Sequence, residues 1–168
     1  MQFNKYKELG AYHWKEYGEQ PIYTNHVDFV VGWIKEKKIL DVGAGDGLIT
    51  YKLKAKGIDN EPLAVKYAKE KGANVIRGNA YKLYGKYDAV YIGDTLEHLE
   101  YPEKALKQAK KVAPILYIAV PQIIPGIIDK YHYQEWTPQQ LNDLVEGVGY
   151  ELKKMFMGNG RIYAKFKV

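Results

Sequence analysis

The stretch Ile39-Leu40-Asp41-Val42-Gly43-Ala44-Gly45-Asp46-Gly47-Leu48-Ile49-Thr50 constrains the fold of this chain more than any other. An apolar run enters a glycine-rich turn, and an apolar-periodic segment follows at once. That order predicts a buried strand, a tight loop and the first turn of a helix. Glycine at 43, 45 and 47 allows a sharp bend and leaves no Cβ between the loop and a ligand. The helix behind the loop presents unpaired N–H groups, which suit an electron-rich, nucleotide-like ligand. A dinucleotide-binding loop is spaced Gly-x-Gly-x-x-Gly, and a phosphate loop ends in Gly-Lys-Ser/Thr; this chain has neither.

Strands and helices alternate from this loop onward, which predicts an α/β fold. Residues 56–59 read as a second strand ending in an acid. Asn60 reads as a helix cap and Pro62 as its first turn, with Leu63, Ala64, Tyr67 and Ala68 facing inward and Gly72 as the stop. A carboxylate at that strand end, Asp59, offers acceptor oxygens for the two adjacent hydroxyls of a ribose. Asp59 follows Gly43 by 16 residues, where ~20 is usual, so the element between them is shortened by about a turn. Residues 74–80, 87–93 and 115–120 read as strands three to five, the last nearly all apolar as a central parallel strand is.

The remaining elements carry their own signals. Thr24 or Asn25 reads as the cap of a helix to about Lys37, with Val27, Val30, Val31 and Ile34 as its buried stripe. Pro102 opens a helix with Ala105, Leu106, Ala109 and Val112 on one side. Thr137-Pro138-Gln139-Gln140 is a capping box, followed by a stripe of Leu141, Leu144, Val145 and Val148 and an end at Gly149. Gly158-Asn159-Gly160 between residues 150–157 and 161–168 is a hairpin signal. Residues 121–136 form a long connection, of the kind that is functional or mobile. The aromatic-rich residues 1–23 show no clear period; they read either as an arm packed on the domain or as a lid over the site.

Composition closes off several classes. At 168 residues the chain reads as one domain, with 1–38 as a helical arm and 39–168 as a cofactor-binding core. No apolar run approaches the ~20 residues of a membrane span, and the N-terminus lacks a signal core. Zero cysteines exclude disulfides and thiolate chemistry. A cytoplasmic protein without membrane contact is expected. The net charge of +5 comes from scattered lysines, which read as a solvated surface before a nucleic-acid footprint.

The Asp41–Gly47 loop resembles motif I of the class I S-adenosylmethionine-dependent methyltransferases, hydrophobic-Asp/Glu-hydrophobic-Gly-x-Gly-x-Gly. With Gly57-Ile58-Asp59, Leu96-Glu97-His98-Leu99 and Trp136-Thr137-Pro138, the chain is similar to the broad group that includes the ubiquinone-biosynthesis O-methyltransferases. The resemblance implies a three-layer Rossmann-like sandwich: a mostly parallel seven-stranded sheet closed by an antiparallel C-terminal hairpin strand. It implies S-adenosyl-L-methionine as cofactor, S-adenosyl-L-homocysteine as product and, most simply, a small-molecule acceptor, with nucleic acid or protein acceptors still open. The implied cofactor contacts are Asp41, Gly43, Ala44, Gly45 and Gly47 on the loop and Asp59 and Asn60 after strand two. Asn79 and Ala80 follow strand three, with Asn79 standing where relatives often carry an adenine-binding Asp; it also reads simply as a turn former. Asp94, Thr95 and Leu96 follow strand four. His98 and His132 are the candidate bases, since histidine titrates near neutrality; each also reads as a loop-fixing residue. A non-catalytic cofactor-binding subunit of a larger complex is the alternative. Aminopropyl transfer and a dehydrogenase fit less well, the first for want of an N-terminal β-domain and the second for the glycine spacing.

Overall fold

The computed structural model describes residues 5–123 and 129–168. Of the long connection, Pro125 and Gly126 lie outside the described residues. The elements run α1 (Lys5–Leu9), α2 (Tyr12–Glu16), α3 (Pro21–Trp33), β1 (Ile39–Val42), α4 (Leu48–Leu53), β2 (Lys56–Asp59), α5 (Pro62–Glu70) and β3 (Val75–Arg77). Then come β4 (Ala89–Gly93), a 3-10 turn (Leu96–His98), α6 (Pro102–Val112), β5 (Ile115–Pro121), α7 (Pro138–Glu146), β6 (Glu151–Gly158) and β7 (Arg161–Lys167).

The seven strands form one sheet in the order β3-β2-β1-β4-β5-β7-β6. Strands β1 to β5 pair in parallel, and β7 runs antiparallel to both β5 and β6. This is the sheet that the resemblance to the class I methyltransferases implies, and the α/β alternation and terminal hairpin signal agree with it. Parallel strands are reached only by crossovers, so helices cover both faces and the strands are buried on both sides. Side-chain alternation divides the core accordingly. Leu40, Val42, Val90, Ile92, Leu116 and Ile118 point to the face packed by Leu106 and Ala109 of α6 and Leu141 and Val145 of α7. Ile39, Ala89, Tyr91, Tyr117 and Tyr163 point to the other face, against Val30 of α3 and Ile49 and Leu53 of α4. Phe29, Trp33, Phe156 and Tyr163 interlock there with ring centroids 4.8–6.1 Å apart. No helix among the described residues is long and apolar enough to cross a membrane.

Several local expectations shift. The helix expected from Thr24 begins at Pro21 and ends at Trp33, before Lys37. Proline at its first position fixes the entry, and Thr24 inside the helix accepts a hydrogen bond from the Gly18 N–H at 2.8 Å instead of capping. The cap of α5 is Glu61, whose side chain accepts from the Leu63 N–H, and not Asn60. Helix α7 has its full capping box at Thr137 and Gln140, but ends at Glu146, before Gly149. The shortened element between Gly43 and Asp59 is α4, stopped by Lys54 in the left-handed region at φ 53°. Residues 5–16, which show no period in sequence, form two single-turn helices, too short to display one.

Leu116 is fully buried in the centre of β5. Leu116→Ala should lower the unfolding free energy by about 2–5 kcal/mol, read as a reduced urea midpoint at unchanged slope.

Candidate functional site

Parallel pairing brings the carboxyl ends of β1, β2, β4 and β5 to one edge of the sheet, the edge at which ligands of open α/β folds bind. A cavity of about 790 Å³ opens there. Asp41, Gly43, Ala44 and Gly45 border it from the glycine loop, Asp59 and Asn60 from β2, and Asn79 and Ala80 from the exit of β3. Asp94, Thr95, His98 and His132 border it from the far side. Gly47 and Leu96 do not reach it: Leu96 is buried in the α6–α7 side of the core, and Gly47 packs on α5.

The glycines serve different ends. A Cβ on Gly43 would collide with the Thr95 side chain, and one on Gly47 with Ala68 and Ala73, so those two are required by packing. A Cβ on Gly45, at φ +57°, would collide with the hydroxyl end of Tyr6, from α1, and touch the ring of His13. Its N–H donates to Asp59 Oδ2 at 2.8 Å, while the Glu61 N–H donates to Oδ1 at 2.9 Å. Asp59 therefore ties the loop to the end of β2, and each oxygen keeps a lone pair for a further donor. Burial raises its carboxyl above the usual range against the pull of those two N–H groups. Asp41 is buried deeper; burial pushes it up to about 7, although Thr50 Oγ1 donates to its Oδ2 at 2.6 Å. Asn79 accepts the Tyr81 N–H at 2.8 Å, so it does form the turn, and its side chain still borders the cavity.

The arm lies across the loop. His13 contacts both carboxylate oxygens of the buried Asp46, through its N–H at 3.0 Å and Nδ1 at 3.1 Å. Trp14 Nε1 donates to the Asp46 carbonyl at 2.8 Å. Tyr6, Tyr12 and Tyr23 line the cavity beside it.

On the other side, Asp94 leaves β4 at φ +45°, a left-handed conformation rare outside glycine. Arg161 holds it there: Nε lies 2.9 Å from both carboxylate oxygens, Nη2 lies 2.6 Å from Oδ2, and Nη1 donates to the Asn159 carbonyl. Burial pushes the Asp94 carboxyl up, but the Arg161 guanidinium outweighs it and leaves the group below its ordinary value. Arg161 opens β7 opposite Pro121, the last residue of β5, so the antiparallel insertion of β7 is what delivers it. Sequence reading missed it. Its signal was faint: one of two arginines, directly after a hairpin turn.

The 3-10 turn carries Glu97 and His98. The described part of the long connection is pinned onto it by Tyr133 N–H to the Glu97 carbonyl at 2.8 Å and Gln134 Nε2 to the Leu99 carbonyl at 3.0 Å. That brings the rings of His98 and His132 within 5.0 Å of each other. Burial lowers the His98 pKa from its ordinary value, only partly countered by the Tyr131 carbonyl. Glu97 is buried, and burial followed by the nearby Asp94 charge raises its carboxyl well above the usual range.

Residues 40–114 match the family model described as a methyltransferase domain. The chain is 27% identical over 135 residues to the ubiquinone biosynthesis O-methyltransferase of Nitrosomonas europaea, covering 67% of this chain and 57% of that one. It is 30% identical over 137 residues to the enzyme of that name from Shewanella pealeana, covering 68% and 58%. The chain thus spans a little over half the length of these relatives. Among solved structures, a methyltransferase of Thermotoga maritima described as a possible histamine N-methyltransferase superposes with a TM-score of 0.80 at 16% identity, over 99% of both chains. Magnesium protoporphyrin IX methyltransferase from Synechocystis PCC 6803, with SAH bound, superposes at 0.75 and 18% identity, over 98% of this chain and 97% of that one.

Removing Arg161 should expose what it offsets. Arg161→Leu should cost about 3 kcal/mol near neutral pH, because Asp94 is left without its partner. The folded pKa of Asp94 lies below its ordinary 3.8, so the stabilisation is complete above that value and lost as pH falls through the folded one. The difference between urea melts of the two proteins should hold constant above about pH 4 and shrink only as pH falls further.

Proposed function

From the class I S-adenosylmethionine-dependent methyltransferase fold, we propose that this chain binds S-adenosylmethionine and transfers its methyl group to a small-molecule acceptor. One observation carries the reading. The only glycine of the loop whose open side is met by a movable side-chain end, Gly45, lies beside Asp59 at the end of β2. A nucleoside lying along the loop finds backbone approach at Gly45 and ribose acceptors on Asp59 in one place. Asn60, Asn79 and Ala80 continue the cavity on that side, where the adenine would sit. Asp41 and Asp94 lie toward the amino-acid end, together with Thr95.

A sulfonium methyl is already activated, so the protein's task is alignment and, for a hydroxyl acceptor, removal of a proton. His98 and His132 stand together at the acceptor side of the cavity and supply nitrogen lone pairs for that purpose. The names of the curated relatives favour an oxygen acceptor of low molecular weight. The arm acts as a lid in this reading: Tyr12 and His13 border the cavity, and Tyr6 lifts from Gly45 when the loop is occupied.

Calorimetry with S-adenosylmethionine and S-adenosylhomocysteine should give saturable binding, and nicotinamide dinucleotides should give none. A hundredfold excess of the product over its Kd should stabilise the fold by ~2.7 kcal/mol. Absence of heat with both compounds ends the cofactor assignment. A screen of small hydroxylated compounds with labelled S-adenosylmethionine then identifies the acceptor. Against that acceptor, His98→Ala should reduce turnover ~10²–10⁴-fold with product affinity near that of the parent; equal turnover removes His98 from the reaction.

A further inference from the structure

Parallel strands share a starting edge as well as a finishing one, so the segments that enter β1, β2 and β4 meet at the edge opposite the cavity described above. A second cavity, of about 420 Å³, opens there. Lys37 and Lys38 border it from the segment before β1, Lys54 and Lys56 from the junction of α4 and β2, and Lys86 from the segment before β4. Among the described residues, no acid and no arginine borders it. These five lysines equal the chain's whole formal excess of +5, so the charge that reads as scattered in sequence is gathered at one place.

Main-chain bonds hold the rim together. The Asp88 N–H donates to the Lys38 carbonyl at 2.8 Å, the Lys38 N–H to Asp88 Oδ2 at 2.8 Å, and the Gly57 N–H to the Asn74 carbonyl at 2.8 Å. Two ordinary explanations of clustered lysines fall short here. The first is ion pairing: among the described residues the paired basic side chains are others, and none of these five has a carboxylate partner. The acids adjacent in sequence are engaged elsewhere, Glu36 with Lys165 and the Tyr117 hydroxyl, Asp88 with the Lys38 main chain. The second is the helix dipole, which accounts for two of the five. Lys54 stands at the C-cap of α4, and Lys86 Nζ donates to the Lys111 carbonyl in the last turn of α6 at 2.9 Å. Lys37 and Lys38 lie past the last turn of α3, and Lys56 opens β2, so no helix end explains them.

Five ammonium groups without a counter-charge repel one another, and a ligand carrying several negative charges on few atoms relieves that repulsion at once. Lysine is a compact point charge without the planar fork that reads a carboxylate in bidentate fashion, and it serves as a phosphate binder in that form. Lys86 keeps two ammonium protons beyond the one given to Lys111. The volume lies in the range of small-ligand pockets, roughly 300–1,000 Å³. A polymer gripped here would sit at the edge of the sheet farthest from the glycine loop, which favours a compact anion over a nucleic acid.

We propose that this pocket binds a short chain of linked phosphates, free or carried by a nucleotide, with Lys37, Lys38 and Lys56 as its principal contacts and Lys54 and Lys86 completing the charge. The site stands independently of methyl transfer, since it shares no residue with the cavity at the other edge.

The test is calorimetric titration of the full chain with inorganic tripolyphosphate at about 0.15 M salt, where long-range attraction is already screened. One equivalent should bind saturably, and orthophosphate should bind at least ~10-fold more weakly because it meets fewer of the charges. Lys38→Gln and Lys56→Gln should each weaken tripolyphosphate binding by ~5-fold, the worth of one close charge contact in water, and together by ~25-fold. Both side chains are exposed, so neither change touches the core. Lys66→Gln, on α5 and outside the pocket, should leave the affinity as it was. ATP in place of tripolyphosphate separates the two sources: tighter binding assigns the chain to a nucleotide, weaker binding to the free anion, provided both lose affinity in the double variant. S-adenosylhomocysteine should not displace either one. Absence of saturable binding, parental affinity in the double variant, or displacement by S-adenosylhomocysteine overturns the site. Tighter binding of a short single-stranded RNA than of both probes overturns it in favour of a polymer.

Discussion

Parallel strands end at the same edge, and in this chain three neighbouring strands finish in or beside an acid. Asp41 in β1, Asp59 at the end of β2 and Asp94 just after β4 converge because the sheet gives them no other direction. Each is compensated differently, by a hydroxyl, by two backbone N–H groups and by a guanidinium. Their protonation preferences separate accordingly: burial lifts Asp41 and Asp59, while Arg161 brings Asp94 down despite burial. One edge thus presents a carboxylate held low by a guanidinium beside two that burial makes hold protons more readily.

The side of the cavity bordered by His98 and His132 depends on the same edge by a longer route. Arg161 comes from the strand after the hairpin, Asp94 from the end of β4, and their pairing fixes the chain direction from which Thr95, Glu97 and His98 depart. The connection after β5 is held to that turn by main-chain and amide hydrogen bonds and brings His132 with it. Two histidines far apart in sequence therefore meet through contacts made by their neighbours.

Local chemistry was legible in the sequence wherever one segment decides it. The glycine loop, the short α4, the capping box at Thr137 and the Gly158-Asn159-Gly160 turn all follow from adjacent residues. Of the proposed cofactor positions, most border one cavity, while Gly47 and Leu96 belong to packing; a motif names its residues without saying which face outward. Asn60 reads as a cap by residue type, yet Glu61 reaches the Leu63 N–H from one position later. Arg161 and the gathering of lysines at the opposite edge were illegible for another reason. Their meaning arises from residues dozens of positions away, and periodicity carries no record of that.

Tyr6 gives the loop a further property. Its hydroxyl rests where a side chain on Gly45 would begin, so that volume holds either the hydroxyl or an atom of something bound to the loop. Occupancy of the loop and placement of α1 are therefore one linked equilibrium, with a coupling that acts equally in both directions. A bound molecule that takes the Gly45 face releases Tyr6, and a chain in which Tyr6 is held down binds more weakly by the fraction of time the face is covered. The tyrosine is thus an internal competitor, present at fixed effective concentration in every copy of the molecule.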